Sequence, residues 1–231
     1  MSYSFAMKTV SDIGNPNVKY NYAVITTEIE NVKPEIINKQ IKSTPYIGIN
    51  GGFFEGSYTS KPTALKAISY WSGETQKHEY NGTPTSQVAR KTFVSYLSGG
   101  KYQASYHNVK TLKEALAKHS SVRAVIGGMD YTLDSWGSKA YYLITNRTVL
   151  AWDNAKGKAY MIVTHDRNVN IPVLKNHITE MGFNPSNSII LDGSCSSLMR
   201  VPVNNVVKFY GCDTEHRHIG NMVRVYGNTF A

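Results

Sequence analysis

Apolar and polar side chains alternate over residues 22–29, where Val, Ile and Thr dominate, so the stretch reads as a strand with one face on a core. Residues 34–41 suit a short helix with Pro34 in its first turn. Strand character returns at 46–49, and shorter strand-like pieces at 67–71, 92–97 and 102–106 point to hairpins in a region rich in Ser, Thr, Gly and Tyr. Thr111 followed by Glu114 is a capping box, and Leu112, Ala115 and Leu116 give the helix behind it one apolar side. A buried strand follows at 122–126. Strands are expected at 140–145, 148–152 and 159–164 as a meander, the first two joined by a tight turn at Asn146-Arg147. Asn170 can cap a helix with Pro172 in its first turn, a stripe of Ile171, Leu174, Ile178 and Met181, and Gly182 at its end. Residues 188–191 are the strand it feeds, and 222–226 alternates again. Meanders mixed with a helical crossover define the expected class as α+β or mixed α/β: a strand-rich single domain over 1–231 with a mixed sheet and about three helices.

Length and composition narrow the chemistry. At 231 residues the chain can bury a core without disulfide or metal support, and Cys195 and Cys212, its only cysteines, exclude a disulfide scaffold. No apolar run approaches the roughly 18 residues that a spanning helix needs, so no membrane partner is expected. Residues 1–8 lack the basic start and apolar stretch of a secretion signal, which sets a cytoplasmic expectation. The sequons at Asn81 and Asn146 are therefore read as coincidental. Lys and Arg exceed Asp and Glu by 25 to 16, a formal charge of +9, which calls for an anionic partner. The basic residues are scattered in short pairs such as Arg90-Lys91, with no arm to track a nucleic acid backbone. A small phosphate-bearing ligand, a sugar phosphate or a nucleotide, fits better than nucleic acid.

Two glycine-bearing strand ends carry most of the chemistry. In Gly48-Ile49-Asn50-Gly51-Gly52-Phe53-Phe54 a strand runs into consecutive glycines, which can adopt positive φ and aim N–H groups at an anion. The same letters also spell an ordinary Asn-Gly hairpin turn. In the segment from Ile189 to Met199 an apolar strand ends in Asp192 and then Gly193-Ser194-Cys195-Ser196-Ser197. A carboxylate there can project into a crevice beyond the sheet edge, or can close a loop as an Asx-turn.

Together these segments resemble the phosphodiester glycosidase family, which carries Asn-Gly-Gly-Phe/Tyr-Phe and, far downstream, Leu-Asp-Gly-Gly-Gly-Ser-Ser. Ala124-Val125-Ile126-Gly127-Gly128 is similar to the family's central Gly-Gly strand end, and Arg217-His218-Ile219-Gly220-Asn221 to its late Arg and Asn pair. The resemblance spans residues 22–226. Two departures stand out: Ser194 and Cys195 replace glycines, and the family's Arg-Thr ahead of the central meander is matched here to Lys139-Ala140.

The resemblance implies hydrolysis of a glycosyl phosphodiester at the anomeric carbon, with no cofactor and no metal. Asp192 would be the carboxylate beside the developing positive charge, with Glu55 as second candidate. Asn50, Gly51, Gly52, Lys139, Gly193, Ser196, Ser197, Arg217 and Asn221 would hold the substrate. Asn50 and Asp192 should then share one pocket, with the Gly51 and Gly52 N–H groups facing it. The alternative is a module that binds or sequesters a phosphorylated sugar or nucleotide without turnover. Three rival readings use the same residues. Cys195 could be a nucleophile with His165 or His177 as base. Cys212, Asp213, His216 and His218 could hold a metal. Trp71, Trp136 and Trp152 could form a sugar platform.

Overall fold

The structure, a computed structural model, describes residues 2–56, 64–133, 139–212 and 217–230. Its strands form three main sheets. The first has the order β1 (Tyr3–Ser11), β2 (Lys19–Glu28), β12 (Lys158–His165), β11 (Thr148–Asp153), β13 (Ser188–Ile190). The second runs β7 (Ser69–Trp71), β10 (Val122–Gly127), β8 (Arg90–Ser98), β9 (Lys101–Val109), and the third β15 (Val206–Gly211), β14 (Leu198–Val203), β4 (Tyr46–Asn50), β16 (Ile219–Thr229), β3 (Val32–Lys39). A short hairpin pairs β5 (Phe54–Glu55) with β6 (Ala64–Leu65). Among the described residues every strand pairing is antiparallel and only two α-helices occur, α1 (Leu112–Leu116) and α2 (Ile171–Glu180). The fold is mostly β, which corrects the expected α+β or mixed α/β class, its mixed sheet and its third helix.

The reason lies in two segments. Residues 34–41 form no helix, because Val32, Pro34 and Ile36 alternate along β3, the edge strand of the third sheet. An edge tolerates a residue that cannot donate to a ladder, so Pro34 pairs opposite Val223 and marks an edge instead of a helix start. Residues 140–145 form no strand either. They pass through a short 3-10 turn, Lys139–Tyr141, and leave Tyr142, Leu143 and Ile144 exposed. Thr145 makes only an isolated bridge to Val169, so the tight turn expected at Asn146-Arg147 is absent.

Burial follows from the layers. In β2, Ala23 and Ile25 face a core shared by all three sheets, with Leu150, Phe93, Ile126, Ile49 and Val223. Tyr22 and Val24 face the opposite side, against Ile171, Leu174 and Ile178 of α2. Both faces of β2 are dry over 22–25, so its apolar run there is continuous, which corrects the one-sided alternation expected for 22–29. Cutting one of these aliphatic side chains to alanine is expected to cost about 2–5 kcal/mol. Asn170 starts α2 as expected, its Oδ1 accepting from Val173 N at 3.0 Å. Thr111 does the same for α1, accepting from Glu114 N at 3.2 Å.

The second sheet is tied together by a polar side chain. Asn81 is fully buried; its Oδ1 accepts from Ile68 N at 3.1 Å, and its Nδ2 donates to Thr92 Oγ1 at 3.0 Å and Val109 O at 2.9 Å. No helix among the described residues is long and apolar enough to cross a membrane.

Candidate active site

The ends of β4, β10 and β13 and the start of β16 converge. Asp192 N donates to Gly51 O at 3.1 Å, and Gly51 N donates to Asn221 O at 2.9 Å. Asn50 is buried and its amide clamps the junction: Nδ2 donates to Asp192 O at 2.8 Å, while Oδ1 accepts from Thr148 Oγ1 at 2.7 Å and Leu198 N at 3.2 Å. Ser197 is buried beside them, its Oγ 3.0 Å from Thr148 Oγ1. The glycines permit this convergence by lacking a side chain. A Cβ on Gly52 would stand 2.5 Å from Ala67 Cβ and 2.8 Å from Gly127 O, and one on Gly51 only 2.4 Å from Asn221 Oδ1. Neither glycine has positive φ, so close approach is what requires them.

Asp192 is the charged centre. Burial pushes its carboxyl above the usual carboxylate range; the Ser196 hydroxyl, the Arg217 cation and the Gly193 N–H pull it part of the way back. The three elements form a relay. Arg217 Nη1 donates to Ser196 Oγ at 3.0 Å, Ser196 hydrogen-bonds the Asp192 carboxyl, and the Arg217 guanidinium lies 4.9 Å from the Phe54 ring centre. Ser196 ends a 3-10 turn, Ser194–Ser196, that Ser197 caps; its first residue, Ser194, holds the left-handed φ of 57° that glycine adopts freely. Asn221 is buried, and neither its Oδ1 nor its Nδ2 meets a partner among the described residues. A buried amide left unpaired costs about 1–3 kcal/mol, which a ligand or water accepting and donating there would recover.

Other expected residues stand elsewhere. The Gly51 N–H is taken by Asn221 O, so only Gly52 keeps an N–H without a backbone partner among the described residues. Glu55 is exposed on the β5–β6 hairpin and ion-paired with Lys66. Lys139 is exposed on its 3-10 turn, and besides Arg217 a second arginine, Arg147, stands beside the Asp192 loop. The Arg147 side chain is buried, with Nε donating to Val169 O at 3.3 Å and Nη2 to Ala140 O at 3.1 Å and Leu143 O at 2.6 Å. Its Nη1 lies 4.0 Å from where a Gly193 Cβ would project. Burial pushes it down to about 10, so it stays a cation at neutral pH. Thr148, the next residue, donates its hydroxyl to Asn50 Oδ1.

Cys195 Sγ has the Ser194 hydroxyl 3.8 Å away, whereas His177 is buried with Nδ1 2.6 Å from Tyr22 OH, and His165 faces Asp166 at 3.0 Å. Asp213 and His216 lie outside the described residues, as does Trp136. Among the described residues no three His, Cys, Asp or Glu side chains group as a metal site. Trp71 and Trp152 are buried, the latter edge-on to Phe93, so both serve the core.

A mostly-β domain whose glycine-bearing strand ends meet at a half-buried carboxylate and an arginine is the class that this geometry defines. Its fold is similar to that of the zebrafish N-acetylglucosamine-1-phosphodiester alpha-N-acetylglucosaminidase catalytic domain auto-inhibited by pro-peptide, with TM-score 0.66 and 12% identity over 98% of this chain and 83% of that one. A hypothetical protein from Synechocystis is similar at TM-score 0.56 and 12% identity, over 97% of this chain and 62% of that one. No protein-family model and no curated protein matches the sequence. At such identities the likeness is one of fold.

Proposed function

We propose that this protein hydrolyses a glycosyl phosphodiester, a sugar-1-phosphate ester or a nucleotide-linked sugar, at the anomeric carbon. The observation that carries the reading is the Arg217–Ser196–Asp192 relay at the junction of the strand ends. A leaving phosphate monoester has a second pKa of about 6, so it departs as a stable anion and needs no strong acid. The reaction instead needs a carboxylate facing the developing oxocarbenium ion, and donors around the phosphate. Asp192 fills the first role as nucleophile or as base for water. Arg217, Arg147, the Gly52 N–H and the Asn221 amide are the groups for the second. Asn50, Thr148 and Ser197 position Asp192 by holding the strand ends together.

The test is a panel of sugar phosphodiesters and nucleotide sugars set against alkyl glycosides of the same sugars, in oxygen-18 water. Phosphodiesters should be cleaved far faster, with the label in the sugar. Equal rates on alkyl glycosides, or label in the phosphate, would overturn the proposal. Tight binding with no product would establish sequestration instead.

A further inference from the structure

A second cluster of reactive side chains lies on the outer strand of the second sheet. Ser105 and His107 are two residues apart on β9, so their side chains share one face, and His119 reaches the same place from the turn after α1. The two imidazole Nε2 atoms are 3.0 Å apart, and Ser105 Oγ lies 3.1 Å from His107 Nε2 and 3.0 Å from His119 Nε2. The Tyr96 ring stacks on His119 at 3.6 Å and 7°, which fixes the imidazole plane. The remaining side is half-open to solvent.

This triangle has three close edges and too few protons to serve them with good angles. If both neutral rings carry their proton on Nδ1, two lone pairs face each other and the serine hydroxyl can satisfy only one. If one ring carries it on Nε2, that N–H points at the other ring and the remaining edges share what is left. Two protonated rings would repel. A cation above the triangle, about 2.1 Å from each donor, meets all three lone pairs at once.

We propose that Ser105, His107 and His119 form a binding site for a divalent transition-metal ion, completed by water. Two imidazoles and a hydroxyl suit Zn²⁺, Ni²⁺ and Cu²⁺, with Cu²⁺ tightest, and not Mg²⁺. The exposed Lys118 opposes a cation and sets a limit on affinity. Bound metal would pin the turn after α1 to β9. Strand β8 separates β9 from β10, the strand of this sheet that reaches the Asp192 junction, so turnover should not depend on the metal.

The experiment is a titration of the metal-stripped full chain with Zn²⁺ at about pH 7.5, followed by calorimetry and by imidazole nitrogen NMR. One equivalent should bind, the His107 and His119 resonances should move together, and Tm should rise. Mg²⁺ should do nothing, and Zn²⁺ binding should weaken as pH falls and protons compete for the imidazoles. His107→Gln and His119→Gln should each weaken Zn²⁺ binding by about tenfold or more. Movement of the His165 or His218 resonances instead would overturn the site. So would an unchanged Zn²⁺ affinity in both variants, or a pair that merely shares a proton and ignores the metal. The wild-type NMR result decides the matter even if a variant fails to fold.

Discussion

After β4 the chain turns through Gly51 and Gly52, and after β13 it turns through Gly193 and Ser194. The first turn is a packing solution. Its glycines have ordinary φ, stand within contact that no Cβ could share, and leave one N–H free of backbone bonds. The second is a chemical one. It places a carboxylate and the Ser196 hydroxyl in series, and puts a serine where the backbone is left-handed. Two motifs of similar composition therefore work differently: glycine in the first makes room for a neighbour, while backbone conformation in the second aims side chains. Substitutions can break that division or sharpen it.

The largest effect belongs to Asp192→Asn. If Asp192 acts on the anomeric carbon, turnover on a phosphodiester should fall by about 10³-fold or more. The same change should raise Tm at neutral pH. Because the folded carboxyl sits above its ordinary range, the stability from its protonation is complete below about pH 3.9 and is lost as pH climbs through the raised folded value. Asn removes that loss, so the two melting curves should separate at neutral pH and merge in acid. A variant less stable than wild type at pH 7 would show that Asp192 is held by more than the relay.

Asn50→Ala should come next, costing about 3 kcal/mol in urea unfolding, because Leu198 N and Asp192 O would lose their side-chain partner and Thr148 one of its two. Arg217→Ala should weaken binding of a charged substrate by about 1.5–3 kcal/mol. It should also move the acid limb of the pH–rate profile upward, since the cation that lowers Asp192 is gone, and Arg217→Lys should restore part of that shift. The smallest effect is Ser194→Gly. Relief of the left-handed serine, about 1–2 kcal/mol, less the added freedom of glycine in the unfolded chain, should leave a gain of about 0.5–1 kcal/mol.

The junction itself was legible because Asn50, Asp192 and Gly127-Gly128 stand where apolar strands run into small residues. The buried place of Arg147 was not, because exposed Tyr142, Leu143 and Ile144 imitate a strand and set Arg147 in a tight turn. Local pattern cannot tell apolar residues on a surface loop from those on a sheet. Strand β3 was hidden by Pro34, whose place on an edge is a tertiary fact. The β14–β15 hairpin did carry a local signal, since Asn204 and Asn205 both hold positive φ, the chemistry that a two-residue turn demands. The roles of Gly51 and Asn221 could not be read, because a close approach between distant strands leaves no trace in spacing.

The burial of Asn81 reaches beyond the folded state. Its sequon, Asn81-Gly82-Thr83, becomes inaccessible once β8 and β9 close over the amide. In a host that attaches glycans to chains as they emerge, modification and folding would compete for the same side chain, and a glycan attached first would block the sheet from closing. The yield of native protein in such a host would then measure a race between two rates. Asn81→Gln would escape the glycan at the cost of crowding the buried amide, whereas Thr83→Ala would remove the acceptor signal and leave the amide's three hydrogen bonds intact.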